Sequence, residues 1–407
     1  MKVLVTGAKG FIGRNLVVML AKLPDVEIIG YDLDDPLDVL DKGLATAAVV
    51  FHLAGINRPE KPEDYAAGNT GSTQLICEKL RALGRKPLIV LSSSIQAKMD
   101  NPYGLSKRGA EDALLNFSRD TGAGLVIFRM KNVFGKWCRP NYNSAVATFC
   151  HNIARDLPIN ISNHTNVVNL VYVDDVCAAM MEAGGVVSPP YEHFVPGVDS
   201  AFADITPSFK ITLGELVDTI TAFRETRSSL QVPDFNDPFI YRLYATYLSY
   251  LENNNFAYGL DVKTDHRGCL AEFLKSPSFG QIFVSRTKPG ITRGNHYHHT
   301  KTEKFLVVQG EAVIRFRKID KQEAIGDRRE AIGEVIGDQE SEVIEYRVCG
   351  EEFRVVDIPP GYTHSIENVG KGELVTLFWA NQIFDPEKPD TFAKQVKLAL
   401  QAMDDRR

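Results

Sequence analysis

The sequence predicts an α/β domain with a doubly wound parallel sheet, followed by an all-β sandwich or barrel. Apolar runs too continuous for half-exposed strands alternate with helix-length segments over residues 1–255, the pattern of parallel strands buried on both faces. From residue 256 the texture changes to short alternating strands broken by Gly and Pro, as in antiparallel sheets packed on one another. The chain has 407 residues. At about 150 residues per domain that is enough for more than one core.

The first domain opens with Val3-Leu4-Val5 as a strand, Thr6 to Gly13 as a turn and Asn15 to Ala21 as a helix. Further strands are expected at Val26–Tyr31, Ala48–Leu53, Leu88–Leu91 and Gly124–Phe128. In the second domain Gln281–Ser285, Lys304–Val308, Ala312–Phe316 and Leu374–Phe378 read as strands. The polar run Asn253-Asn254-Asn255 sets the boundary, giving domains at 1–255 and 256–385 and a tail at 386–407. Glu323-Ala324-Ile325-Gly326-Asp327 recurs in altered form up to Asp338, a charged repeat expected as an exposed hairpin or loop and too short for a solenoid. The tail from Phe392 to Arg407 is helix-like.

The 46 Lys and Arg against 52 Asp and Glu give a net charge of −6, and no basic run is present. That argues against a nucleic-acid partner, which needs a basic patch to release counterions. The cysteines are scattered without a CxxC pair, as expected of reduced thiols in the cytoplasm. No signal-peptide apolar region follows Met1, and no run of about 18 apolar residues appears, so neither export nor a membrane partner is expected.

Two groups of residues carry chemistry. Gly7, Gly10 and Gly13 lie between a strand and a helix, where a pyrophosphate can approach the backbone at the positive helix N-terminus. Tyr103 and Lys107 are one helical turn apart, so the cation can depress the phenol pKa. Ser92, Ser93 and Ser94 close the preceding strand, where a hydroxyl can meet a substrate carbonyl. Asp32 ends the second strand, where an acid binds an adenosine ribose. Lys9 and Arg14 are positioned to neutralise a 2′-phosphate instead, so NADP(H) and NAD(H) both stay open. Arg129, Asn132, Lys136, Arg139 and Asn143 are candidates for the diphosphate or sugar of a substrate.

In the second domain Gly290 to Gly310 spells G-x5-HxH-x4-E-x6-G, and Pro359 to Asn368 spells PxG-xx-H-xxx-N. Alternation puts His296 and His298 on one strand face; Glu303 and His364 complete a three-imidazole, one-carboxylate set suited to Zn, Fe, Mn or Ni.

Residues 1–250 resemble the extended short-chain dehydrogenase/reductases, on Thr6 to Gly13, His52-Leu53-Ala54-Gly55, Asn69, Tyr103/Lys107, Asn132-Val133-Phe134-Gly135 and Val171 to Val176. The resemblance implies a Rossmann-like sheet, with Tyr103 as acid/base, Lys107 on the nicotinamide ribose and Ser94 orienting the substrate, Ser93 being the fallback. It implies cofactor contacts from Gly7, Lys9, Gly10, Phe11, Ile12, Gly13, Arg14, Asp32, Leu53, Ala54, Gly55, Asn69, Tyr103 and Lys107. Ile95 and Gln96 stand where sugar-nucleotide dehydratases need an acid and a carboxylate, so dehydration is not expected. The two histidine motifs resemble those of the cupins, whose fold is a jelly-roll barrel, here with zinc favoured.

The fusion of the two is similar to the bacterial bifunctional capsular-polysaccharide and O-antigen enzymes of the CapF/WbjC type. That resemblance implies a homodimer acting on a UDP-sugar: the cupin epimerises C3 of a UDP-4-keto-6-deoxy-HexNAc, and the reductase domain reduces C4. The alternative is a single-activity 4-ketoreductase or 4-epimerase with a structural or dimerising cupin. The cupin's own acid/base stays open among Tyr297, Asp357 and Tyr362.

Overall fold

The structure, a computed structural model, describes residues 1–187, 193–196, 201–319 and 342–396. The chain divides into two compact units, Met1–Arg224 with Phe235–Phe256, and Glu225–Asp234 with Ala257–Arg407. Segment Glu225–Asp234 thus groups with the second unit although the sequence places it in the first. The reason is local: Val232 N donates to Lys275 O and Lys275 N to Leu230 O.

The first unit runs β1 (Lys2–Thr6), α1 (Phe11–Leu20), β2 (Glu27–Tyr31), α2 (Leu37–Thr46), β3 (Val49–His52), α3 (Ser72–Ala82), β4 (Leu88–Ser94), α4 (Pro102–Thr121) and β5 (Leu125–Met130). It continues with β6 (Asn132–Phe134), α5 (Ala145–Ile153), β7 (Val167–Tyr172), α6 (Val173–Ala183), β8 (Phe194–Pro196), β9 (Phe202–Ile205), β10 (Phe209–Thr212), α7 (Leu213–Ser229) and α8 (Pro238–Leu248). The main sheet has the order β2-β1-β3-β4-β5-β9-β8, parallel except for β8 at its edge. This is a Rossmann-like fold. β1, β3 and β4 are buried on both faces, hence their continuous apolar sequences. The strand order reverses between β1 and β3, so their C-terminal ends open a crevice for a ligand. A second sheet, β10-β7-β6, packs with α5, α7 and α8 around Phe134, Leu216, Phe223 and Leu243.

Helix α4 has a strong start: the Asn101 side chain accepts from Gly104 N at 2.8 Å, and Pro102 occupies the first turn. Its register fixes the site, because Tyr103, Lys107 and Glu111 recur every fourth residue along one face.

The strands of the second unit all pair antiparallel with one another: β11 (Val262–Asp265), β12 (Gly268–Ser276), β13 (Gly280–Thr287), β14 (Thr292–Tyr297), β15 (Glu303–Gln309), β16 (Glu311–Lys318), β17 (Ile344–Cys349), β18 (Val355–Ile358), β19 (Tyr362–Asn368), β20 (Leu374–Ala380) and β21 (Phe392–Ala393). Sheets β11-β12-β13-β20-β15-β18 and β17-β16-β19-β14-β21 enclose Phe305, Ile314, Phe316, Ile366 and Phe378 as a cupin barrel. The expected helix at the tail is corrected where it is described: Phe392 and Ala393 pair with Tyr297 and His296 as a strand, because the edge of β14 offers unpaired backbone groups. The remainder of that tail and the repeat at 323–338 lie outside the described residues. All six cysteines are free thiols. No helix among the described residues is long and apolar enough to cross a membrane.

Candidate active site and metal centre

The three glycines after β1 have different reasons to be there. Gly7 sits at φ +68°, and a Cβ there would meet the Leu53 and Ala54 backbone at 2.8–2.9 Å. A Cβ on Gly13 would lie 2.0 Å from Gly7 O. Both are demanded by the packing of strand, loop and helix. Gly10, which caps α1, would meet only Gly7 O at 3.1 Å, so its side-chain position is open.

That opening faces a cavity of about 620 Å³. Its walls include Gly7, Lys9, Gly10, Phe11, Ile12, Gly13 and Arg14 from the first turn, Leu53 and Gly55 beyond β3, Ser93, Ser94, Tyr103 and Lys107, and Asn132, Arg139 and Asn143. The expected nucleotide turn and the Ser/Tyr/Lys set therefore border one space. Trp137 and Tyr142, which are not among the expected contacts, also line it. Trp137 is a half-exposed aromatic at φ +68°, a backbone conformation a bulky residue seldom adopts.

Five expected ligand contacts are not among the lining residues, and each has a partner that explains its place. Asn69 is buried, its Oδ1 accepting from Ile56 N at 3.0 Å and its Nδ2 donating to Ile56 O and Ser106 Oγ, so it ties the loop after β3 to α4. Ala54 N donates to Thr6 Oγ1 at 3.3 Å. Asp32 accepts from Lys9 N at 2.8 Å and from Leu33 N, which braces the glycine turn. Arg129 is paired with the buried Glu111 at 2.6 Å, and Lys136 with Asp174 at 2.5 Å. Of the three cations assigned to substrate on sequence alone, Arg129 and Lys136 are thus engaged by carboxylates remote in sequence, while Arg139 lines the cavity. Lys9 is likewise paired with Asp35 at 2.7 Å, and Arg14 donates to Trp137 O at 3.1 Å.

The protonation of the Tyr/Lys pair is set by burial. Burial pushes the Tyr103 phenol above its ordinary value, with the Ser94 hydroxyl opposing and Tyr65 adding to the rise. This corrects the expectation that Lys107 pulls the phenol down: its Nζ donates to Ser92 O at 2.8 Å. Burial lowers Lys107 itself to about 8, with the Glu111 carboxylate acting against that fall. Of the two serines, Ser94 reaches Tyr103, whereas Ser93 Oγ donates to Glu111 Oε1 at 2.5 Å.

In the cupin unit the ligand atoms of His296, His298, Glu303 and His364 all lie within 4.8 Å of one another. A bulge between Gly294 and His296 re-aims β14 so that His296 stands directly opposite His364 on β19. His298 Nδ1 faces the Asp390 carbonyl and His364 Nδ1 the Tyr362 carbonyl, which turns both Nε2 atoms toward the cluster. Those Nε2 atoms lie 3.3 and 3.5 Å from Glu303 Oε2. Neither is aligned for a hydrogen bond, so two buried nitrogens are left without a partner among the described residues. Burial lowers His296 to about 3, helped by the His364 and His298 rings. Burial alone would raise the Glu303 carboxyl, but the adjoining imidazoles and Lys301 bring it well below the usual carboxylate range. A neutral His296 imidazole, an ionised carboxylate and two unsatisfied inward nitrogens fit a divalent cation.

The three acid/base candidates near this cluster fare differently. Tyr297 packs away from it on Phe392, and Asp357 pairs with Lys304 at the surface. Tyr362, two residues before His364 on the same strand face, packs against the barrel core. Lys301, 3.4 Å from Glu303 Oε1, and Asp390, which accepts from the backbone N–H of His299, Thr300 and Lys301, went unnoticed in the sequence. Lys301 sits inside the histidine motif, but nothing near Asp390 marks it.

Comparison with known proteins agrees with this two-part architecture. Residues 3–194 match the NAD dependent epimerase/dehydratase family, and residues 263–335 and 330–392 match the polysaccharide biosynthesis C-terminal domain. The UDP-2-acetamido-2,6-beta-L-arabino-hexul-4-ose reductase of Pseudomonas aeruginosa is 42% identical over 97% of this chain and 99% of its own. The capsular polysaccharide assembling protein CapF of Staphylococcus aureus superposes with a TM-score of 0.84 at 41% identity, covering 97% of this chain and 100% of that one. The chain belongs to the CapF family. A CapF structure with the inhibitor 3-isopropenyl-tropolone also matches, with a TM-score of 0.80 at 38% identity over 97% of this chain and all of the other. As a CapF-family member, the chain joins an enzyme domain of the nicotinamide-dependent epimerase/reductase type to a cupin.

Proposed function

We propose that the chain is a bifunctional nucleotide-sugar enzyme. Its cupin domain epimerises C3 of a UDP-4-keto-6-deoxy-HexNAc, and its Rossmann-like domain reduces the C4 ketone with NAD(P)H to UDP-2-acetamido-2,6-dideoxy-L-talose. The observation that carries this reading is the presence, in one chain, of a Ser94/Tyr103/Lys107 set on a nucleotide-sized cavity and a four-ligand cluster in a barrel. The relative from Pseudomonas aeruginosa, named for reduction of a 4-ulose, supports the same substrate class.

The chemistry orders the two activities. A C3 proton is acidic only while C4 is a ketone, so exchange at C3 precedes hydride addition, and reduction fixes the new configuration. In the reductase site Ser94 and Tyr103 hold the C4 oxygen. The phenol, kept protonated by its burial, would give that oxygen the proton that reduction at C4 requires. Lys107 orients the nicotinamide ribose. In the cupin site His296, His298, Glu303 and His364 would hold zinc or another divalent ion. When bound, such an ion supplies Lewis acidity next to a carbonyl.

The test is incubation of the UDP-4-keto-6-deoxy-HexNAc in D2O without nicotinamide cofactor, reading deuterium at C3 by NMR and mass spectrometry. Incorporation that disappears in His296→Ala, together with ketone-dependent oxidation of NAD(P)H that survives in it when pre-epimerised ketone is supplied, is the expected result. Reduction without any C3 exchange by metal-loaded protein would leave a simple 4-ketoreductase.

A further inference from the structure

Beneath the Tyr103/Lys107 pair lies a buried carboxylate with no assigned role. Glu111 follows Lys107 by one turn of α4, so the two side chains share a face of the helix directed at β4 and β5. Glu111 is 1% exposed. Its carboxylate accepts from Ser93 Oγ on β4, and from Arg129 Nε and Nη2 on β5 at 3.0 and 2.6 Å. Ser93 neighbours Ser94, which reaches the phenol, and Arg129 also lies over the Phe202 ring at 4.5 Å. A buried ion pair of this kind is costly to build and serves stability poorly, which turns attention to what its negative end faces.

It faces Lys107. The lysine is almost fully buried, and its Nζ donates to the neutral Ser92 carbonyl. From β3, His52 stands between the Thr6 and Thr73 hydroxyls and is held at about 3, so it stays neutral. Tyr103 on α4 is neutral, and the loop after β3 presents Gly55 and the Asn69 amide. Arg129, on the far side of Glu111, and Asp112, which acts on Arg129, complete the charged groups around the pair. Among these, Glu111 is the one anion acting directly on the ammonium.

We propose that Glu111 is the buried counter-ion that keeps Lys107 charged during reduction, a positioning residue acting through Lys107 without touching substrate. The inference rests on the reading of Tyr103 and Lys107 as the reductase pair. It also gives the Ser93-Glu111-Arg129 chain a purpose: Arg129 and Ser93 fix the carboxylate and share its charge, which limits how strongly it holds the ammonium.

The test is the single-turnover rate of NADPH oxidation by full-length protein with the UDP-4-keto sugar, from about pH 6 to pH 10. The wild type should lose rate as pH rises through the Lys107 value of about 8. In Glu111→Gln that alkaline limb should move to lower pH by about one unit or more relative to the variant's own plateau, a tenfold or larger loss at the old midpoint. Glu111→Asp should return it most of the way. Arg129→Gln, which frees Glu111 from its competing cation, should move the limb to higher pH, and this arm decides the matter if Glu111→Gln does not fold. A rate lowered equally at all pH values, with the limb unmoved in the folded variants, would overturn the proposal and make Glu111 a packing residue. If Tyr103→Phe retains the wild-type rate, the reductase assignment itself is wrong, and that failure is separate.

Discussion

The two sites satisfy their polar groups in opposite ways. Around the reductase cavity nearly every candidate ligand already has a protein partner: Lys107 holds Ser92 O, Asn69 holds Ile56, and Arg14 holds Trp137 O. The cupin cluster instead aims two buried imidazole nitrogens at one another's carboxylate neighbour without a hydrogen bond. The first site is a preformed surface that a nucleotide can enter and leave. The second holds two unpartnered nitrogens that a cation would satisfy, and Phe305 against His364 makes leaving them bare costly. A reversible cofactor suits the one and a resident ion the other.

The sharpest way to break this contrast is to remove one centre and read the other. Tyr103→Phe deletes the general acid, so reduction should fall by about 10²- to 10⁴-fold. C3 exchange and bound metal, measured by mass spectrometry and elemental analysis, should stay at wild-type levels. Loss of both activities would mean that the sites are not independent.

A second test attacks the closure of the metal site. The Asp390 side chain accepts from three successive backbone N–H groups, His299 to Lys301, and its carbonyl meets His298 Nδ1. Asp390→Ala should weaken metal affinity by about 10- to 100-fold, the usual cost of losing an outer-sphere partner. Chelator competition reads this directly, and NADPH binding should not change. Chelation of the wild type should lower its melting temperature, since an ion bound only by the folded state stabilises it by mass action.

These residues also mark what could be read from sequence. Gly7, Gly10 and Gly13, the Tyr103/Lys107 step and the His296/His298 alternation are short-range patterns whose geometry follows from one turn, one helix or one strand. The pairing of Arg129 and Lys136 could not be read because their anions, Glu111 and Asp174, lie 18 and 38 residues away in sequence. Asp390, 92 residues from His298, carries no local signal at all. The strands of the parallel sheet were legible because they are buried on both faces. The tail strand β21 was not, since it owes its form to the β14 edge and its own sequence favours a helix.

Activity and stability should respond to pH with opposite signs at Lys107. Its folded value, about 8, lies below that of an unfolded lysine. The folded chain therefore releases its proton first, and the cost of burying the charge, fully present below pH 8, is relieved as pH rises toward about 10.4. Over that interval the lysine's contribution to stability rises while reduction declines by up to about tenfold per unit. Urea unfolding of wild type and Lys107→Met at several pH values isolates the stability part. A wild-type advantage that shrinks above pH 8 would reverse the sign and show that the ammonium is stabilised by burial among its neighbours.

The smallest effect separates the glycines that build the reductase turn from the one that faces its ligand. Gly13→Ala places a methyl 2.0 Å from Gly7 O, and because that oxygen is backbone, the turn or the helix has to shift. Its melting temperature should fall by several degrees, as a destabilisation of about 1–3 kcal/mol implies. Gly10→Ala meets only Gly7 O, at 3.1 Å and at an ordinary extended φ of −73°, so the fold can absorb it with little change in melting temperature. The methyl would, however, stand in the cavity at the N-terminus of α1, where a pyrophosphate must come against backbone N–H groups. NAD(P)H affinity, read by fluorescence titration, should weaken about tenfold, equivalent to about 1.4 kcal/mol. If Gly10→Ala binds cofactor as the wild type does, all three glycines are there for packing, and the pyrophosphate does not sit on this turn.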